Sequence, residues 1–139
     1  MAGYSGTPLW KKLGIEPGMT VALFNAPQHV ESLLDGHPEG VRFVSRHPEG
    51  ARMVICFATE ADHLTDLFAA AIEIIPAHGA IWAAWPKKSS KVPTDITEDR
   101  IRELFLPTGL VDVKVAAVDD TWSGLKFVVR KEGRDSWHD

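Results

Sequence analysis

Cysteine is nearly absent from the 139 residues: Cys56 is the only one. That excludes an internal disulfide and any multi-cysteine zinc site. Its position inside the apolar run Met53-Val54-Ile55-Cys56-Phe57 predicts a buried thiol with a raised pKa, not a nucleophile. Long hydrophobic runs are missing too. No segment approaches the roughly 18 apolar residues that a membrane-spanning helix needs, and Met1-Ala2-Gly3-Tyr4-Ser5 has no basic region leading into an apolar stretch, so a cytoplasmic location is expected. Positive charge is not in excess. The 15 Lys and Arg against 19 Asp and Glu leave a formal net charge of −4, which argues against nucleic-acid and membrane partners.

What is present is ordinary globular composition, 45% apolar and 24% charged, at the commonest domain size. One α/β domain is expected over residues 1–132, followed by a frayed tail at 133–139. Thr7-Pro8-Leu9-Trp10-Lys11-Lys12-Leu13-Gly14 reads as a short helix capped by Thr7 and ended by Gly14. Thr20 to Asn25 is a short apolar strand, and a weak helix follows from Gln28 to Leu34. Then His37-Pro38-Glu39-Gly40 is echoed by His47-Pro48-Glu49-Gly50. Each copy reads as a turn delivering the chain into a strand, with glycine free to take a positive φ.

Arg52 to Ala58 has the near-continuous apolar character of a central strand covered on both faces. Thr59 and Asp62 form a capping-box-like start to a helix running to about Ile75, with Leu64, Leu67, Phe68, Ala71, Ile72 and Ile75 at helical spacing. Gly79 to Trp85 is another buried strand, followed by a basic loop with Lys87, Lys88 and Lys91. A helix from Thr97 to Phe105 and strands at Val111–Val115 and Leu125–Val129 complete the chain, the last two joined by a loop at Asp119–Gly124.

Strands alternating with helices imply right-handed crossovers and a mostly parallel sheet with helices on both faces. The terminal pair is too closely joined for a crossover, so the last strand should run antiparallel. The fold class expected is thus a three-layer, Rossmann-like α/β sheet ending in an antiparallel hairpin. It looks like a truncated class I methyltransferase fold that lacks a helix and strand of its first half.

Such sheets bind ligands beyond the carboxyl ends of their strands. Asn25, Thr59 with Glu60, Pro86 to Lys88 and Asp119 to Trp122 are expected there. Lys87 and Lys88 could neutralise a phosphate or carboxylate, against the plainer reading of a solvated basic loop. Trp122 could stack on a planar ligand or fold back as a lid on the core, and the lid is favoured. Asn25 and Glu60 would orient the ligand. The first turn, Asn25-Ala26-Pro27-Gln28, has no glycine and its proline lacks a backbone donor, which disfavours tight phosphate or S-adenosylmethionine binding there. Asp119 and Asp120 read as turn-stabilising carboxylates before catalytic ones. His37, His47, Glu39 and Glu49 could form a surface metal pair, but nothing supplies a supported geometry; His63 reads as exposed. The readings are therefore a binding domain for a small anionic or nucleotide-like ligand, a methyltransferase-like enzyme without the Gly-rich loop, or a homodimeric interaction module using the hairpin strand and Trp122. No cofactor or metal is identified.

Gly3-Tyr4-Ser5-Gly6-Thr7-Pro8-Leu9, Trp85-Pro86-Lys87-Lys88, Gly109-Leu110-Val111-Asp112-Val113-Lys114-Val115 and Thr121-Trp122-Ser123-Gly124-Leu125-Lys126 together resemble the small bacterial family known as domain of unknown function 3052. The likeness runs to about Arg130. It implies a stand-alone cytoplasmic protein and carries over no catalytic or ligand-binding residue. The segment Gly36 to Gly50, with its doubled turn, is longer and more polar than the resemblance would imply.

Overall fold

Met53–Phe57 and Ala80–Pro86 are buried at every position, because each strand has a neighbour on both sides and a layer of helices on both faces. In the computed structural model, which describes residues 6–138, they are β3 and β4 of a six-stranded sheet. The other elements are α1 (Leu9–Leu13), β1 (Thr20–Phe24), α2 (Val30–Leu33), β2 (Arg42–Val44), α3 (Ala61–Ile74), α4 (Glu98–Phe105), β5 (Leu110–Ala117) and β6 (Trp122–Val129). The strand order is β2-β1-β3-β4-β6-β5. β1 to β4 are parallel, and β6 is antiparallel to both β4 and β5, as the short last connection requires.

Alternation along the strands divides the interior into two cores. Val54, Cys56, Ile81, Ala83 and Trp85 face α3 and α4, meeting Leu64, Phe68, Ile101 and Phe105. Phe68 stacks on Phe105 at 3.8 Å between ring centroids and meets Phe127 edge-on at 5.6 Å. Met53, Ile55, Phe57, Trp82 and Ala84 face the other way, toward Leu13, Val30 and Leu34 of the α1 and α2 side. Trp82 is fully buried there, and its indole N–H donates to the Leu13 carbonyl at 3.0 Å, satisfying the one polar atom it takes into the core.

The β2-to-β3 connection carries no helix. Register explains how so short a crossover suffices: Val44, the last residue of β2, lies level with Ala22, and Met53, the first of β3, lies level with Val21. The chain crosses over β1 with almost no return along it. Both His-Pro-Glu-Gly copies are turns, with Gly40 at φ 77° and Gly50 at φ 87°. A Cβ on Gly40 would also lie 3.1 Å from the Gly18 Cα, so this turn needs glycine twice over.

Four local expectations are corrected. Pro8, not Thr7, occupies the N-cap of α1, its carbonyl accepting from the Lys11 and Lys12 amides. α3 starts after Glu60 without a side-chain cap from its own segment; Asp95, 34 residues on, accepts from the Ala61 amide at 2.7 Å, and the Thr94 hydroxyl donates to the Thr59 carbonyl. Trp122, Ser123 and Gly124 belong to β6 and not to the loop, because the Asp119 carboxylate closes the turn early. The tail does not fray within the described residues: the Trp137 indole donates to the Ile75 carbonyl at 3.0 Å and its ring packs on the α3 and α4 core. The resemblance residues Gly3, Tyr4 and Ser5 lie outside the described residues.

Candidate functional site

β1, β3 and β4 all end at one rim, so the loops that follow them are brought together by the parallel pairing itself. At the β1 exit Asn25 takes φ 58°, a left-handed conformation that asparagine tolerates better than most residues. Its side-chain amide donates to the Phe57 carbonyl at 2.8 Å, tying the end of β1 to the end of β3. That carboxamide stands at the turn where dinucleotide-binding sheets carry a Gly-rich loop. A shallow depression beside it is lined by Asn25, Pro27, Gln28, Glu31 and Ser45.

Beyond β3, Thr59 and Glu60 border a second depression with Pro93, Thr94 and Asp95. Glu60 is exposed. Beyond β4 lies a cleft of about 570 Å³, lined by Trp85, Lys87, Lys88, Ser123, Thr97, Glu98 and Asp99. α4 opens onto it. The Thr97 hydroxyl caps this helix by accepting from the Arg100 amide at 3.1 Å, and Glu98 is held by Arg102 at 2.9 Å. The cleft thus carries both ammonium groups and carboxylates in its lining.

Trp122 pairs with Pro86, and the Lys87 amide donates to the Thr121 carbonyl at 2.8 Å, so Lys87 and Trp122 leave the sheet at the same rim. They leave on opposite faces. Trp122 is half-buried and meets Phe57 edge-on at 5.2 Å, in the core on the α1 and α2 side, whereas the lysine cleft lies on the α4 side. The lid reading of Trp122 holds. The expectation that it would stack on a ligand held by Lys87 and Lys88 is corrected, because a strand sends adjacent residues to opposite faces.

Asp119 is a turn-former, as expected. One oxygen accepts from the Thr121 and Trp122 amides, both at 2.8 Å, and the other meets His29 Nε2 at 2.9 Å. Burial pushes its carboxyl up, but the His29 contact and the two amide bonds outweigh that and hold it below its ordinary value. His29 was not singled out by the sequence, and no spacing signal links positions 29 and 119; the topology alone brings the β1 loop to the hairpin. Asp95 was missed for the same reason, although Thr94-Asp95 ahead of a helix is a recognisable turn signal. Cys56 is fully buried, and desolvation raises its pKa. His37 meets Phe43 edge-on at 5.1 Å, and His63 is exposed.

No family model matches the sequence, and no curated protein is significantly similar to it. Solved structures are similar in fold. A possible exported protein from Bordetella parapertussis superposes with a TM-score of 0.58 at 12% identity, covering 86% of this chain and 65% of that one. The Bacillus subtilis m1A22 tRNA methyltransferase TrmK gives 0.54 at 10%, covering 91% and 67%. Aeropyrum pernix fibrillarin, in complex with natively bound S-adenosyl-L-methionine, gives 0.52 at 13%, covering 91% and 70%. The chain thus spans about 65% of the length of the Bordetella protein. Its fold is that of the class I methyltransferases, shortened. Among the described residues no helix is long and apolar enough to cross a membrane.

Proposed function

We propose that this chain is a small-molecule-binding domain on a shortened methyltransferase-like scaffold, taking a nucleotide-like anion in the cleft beyond β4. The observation that carries this reading is the composition of that cleft: Lys87 and Lys88 line it together with Glu98, Asp99 and the apolar Trp85 and Ile96. Ammonium groups neutralise a phosphate or carboxylate, and the carboxylates accept from hydroxyls or amines on the same molecule. Asn25 and Glu60 lie further along the rim. Asn25 commits one N–H of its amide to Phe57, so it offers a ligand its carbonyl oxygen and the remaining N–H. The four sequence motifs support placing the chain in the family of unknown function named above.

Calorimetric titration with a panel of nucleotides tests this reading. Binding is expected in the native chain and should fall about tenfold or more in a Lys87→Ala, Lys88→Ala double variant, since charge-assisted bonds are lost. Equal affinity in the two proteins would sink the lysine assignment.

A methyltransferase-like enzyme is the second reading, favoured by fold neighbours such as the fibrillarin with bound S-adenosylmethionine. The glycine-free turn and the Asn25-to-Phe57 bond weigh against it. A cofactor at a hundred times its dissociation constant adds about 2.7 kcal/mol of apparent stability, so an unmoved melting temperature in millimolar S-adenosylmethionine would retire it. Self-association has as its support Val113 and Val115, exposed on the edge strand β5. The bulge between Asp112 and Lys114 works against edge pairing, and Trp122 is turned inward.

A further inference from the structure

At the amino edge of the sheet, opposite the cleft, Lys114 of β5 and Lys126 of β6 sit directly across from each other. Like charges in that position repel. Lys114 is relieved, because its ammonium donates to the Lys12 carbonyl at the end of α1 at 2.7 Å. Lys126 is not. It is half-buried, lies over the Trp82 ring with its ammonium 6.0 Å from the ring centroid, and makes no hydrogen bond or ion pair with any described residue. Burial first, then the Lys114 charge, hold it below the ordinary lysine value, with Glu16 opposing.

Its ammonium opens on a concavity of about 270 Å³ that is also lined by Arg52, His78, Gly79, Gly14 and Glu16. A Cβ on Gly14 would come within 2.8 Å of the Lys126 Nζ, so the glycine leaves the space in front of that nitrogen open. Glu16, the carboxylate in this wall, reaches Arg52 at 3.6 Å across largely exposed side chains and leaves Lys126 without a direct partner. The charged groups lining the concavity are therefore Lys126 and Arg52 against Glu16, with the His78 imidazole beside them and Lys114 across the strand pair from Lys126.

We infer that this concavity binds a compact oxyanion, a phosphate or carboxylate group, with Lys126 as its principal contact and Arg52 and His78 on its rim. An anion seated there would supply the partner that Lys126 lacks and offset its repulsion by Lys114. The site lies at the opposite edge of the sheet from the proposed nucleotide cleft and does not depend on it.

Titration of the full chain with inorganic phosphate and separately with acetate, at ionic strength held constant with potassium chloride, followed in proton–nitrogen correlation spectra, is the test. Saturable shifts of the Gly14 and Gly79 amides are expected with one or both anions, and the arm that saturates identifies the oxyanion. Lys126→Met keeps the aliphatic stem over Trp82 and should weaken that binding about tenfold or more. Arg52→Gln, which removes a half-exposed guanidinium, should weaken it by a smaller factor. Lys88→Ala should leave it unchanged. Linear, non-saturating shifts with both anions, saturation that survives both Lys126→Met and Arg52→Gln, or loss of the Gly14 and Gly79 shifts in Lys88→Ala would overturn the site.

Discussion

Asp119 gathers three contacts on one carboxylate and thereby sets where β6 begins, so its protonation state has a stability consequence. Its folded pKa is held below that of an ordinary aspartate. A depressed carboxylate stabilises the fold above its unfolded pKa, and that contribution is lost as pH falls through the lower folded value. Asp119→Ala is therefore expected to cost about 1.5–3 kcal/mol at neutral pH, the range for hydrogen bonds to a charged group, with the gap to the native protein narrowing below about pH 4. Urea unfolding at pH 7 and pH 3 measures both, and an undiminished gap at pH 3 would count against the assignment. Cys56 makes a simpler case. Fully buried and raised in pKa by desolvation, its thiol should react with a disulfide reagent only as fast as the chain opens; prompt labelling of the native protein contradicts this. The role of Asp119 was legible because aspartate in a tight turn bonds its own backbone. Its bond to His29 was not, since it joins loops 90 residues apart.

At the level of elements, strand and helix identity was legible wherever burial imposes a period. The fully apolar β3 and β4, and the spacing of Leu64, Phe68 and Ala71 in α3 and of Ile75 at its C-cap, match the observed core. Element ends were less legible, because caps can come from afar. Thr59 lies one residue before the Glu60 N-cap, and Asp95 binds the first amide of α3. Asp95→Ala should therefore cost about 0.5–2 kcal/mol, as loss of a capping side chain does. Thr59→Ala keeps the backbone carbonyl that Thr94 uses and should fall within about 0.5 kcal/mol of the native chain. Chemical denaturation of both variants decides, and the reverse order would restore the local capping box. The face assignment at the rim failed for a related reason. Placing Lys87 and Trp122 at one edge needed only the strand order, but placing them on one face needed the parity of two strands that meet at Pro86 and Trp122, and parity is lost when a strand start is misjudged by three residues.

For the whole molecule, a mostly parallel sheet with an antiparallel last strand and helices on both faces followed from alternation and connection length, whereas the closure of the C-terminal segment over α3 did not. Seven mostly polar residues gave no periodicity to read, and a single tryptophan carries the contact. Trp137 donates to the Ile75 carbonyl, the same oxygen that His138 Nε2 approaches at 2.8 Å, and its ring lies against Gly109. This joins the last residues to the end of α3 and to the turn before β5, so it links segments that no neighbouring strand connects. Trp137→Phe should retain the ring packing and lose one hydrogen bond, about 1 kcal/mol. Trp137→Ala should lose both, about 2–3 kcal/mol for a half-buried aromatic, and should release the segment from the surface. Limited trypsin digestion separates the two effects, because Lys131 and Arg134 lie in the closing turn. Cleavage there should be slow in the native chain, little changed in Trp137→Phe and fast in Trp137→Ala. Equal cleavage of all three proteins would mean that the segment opens freely and that the indole does not hold it.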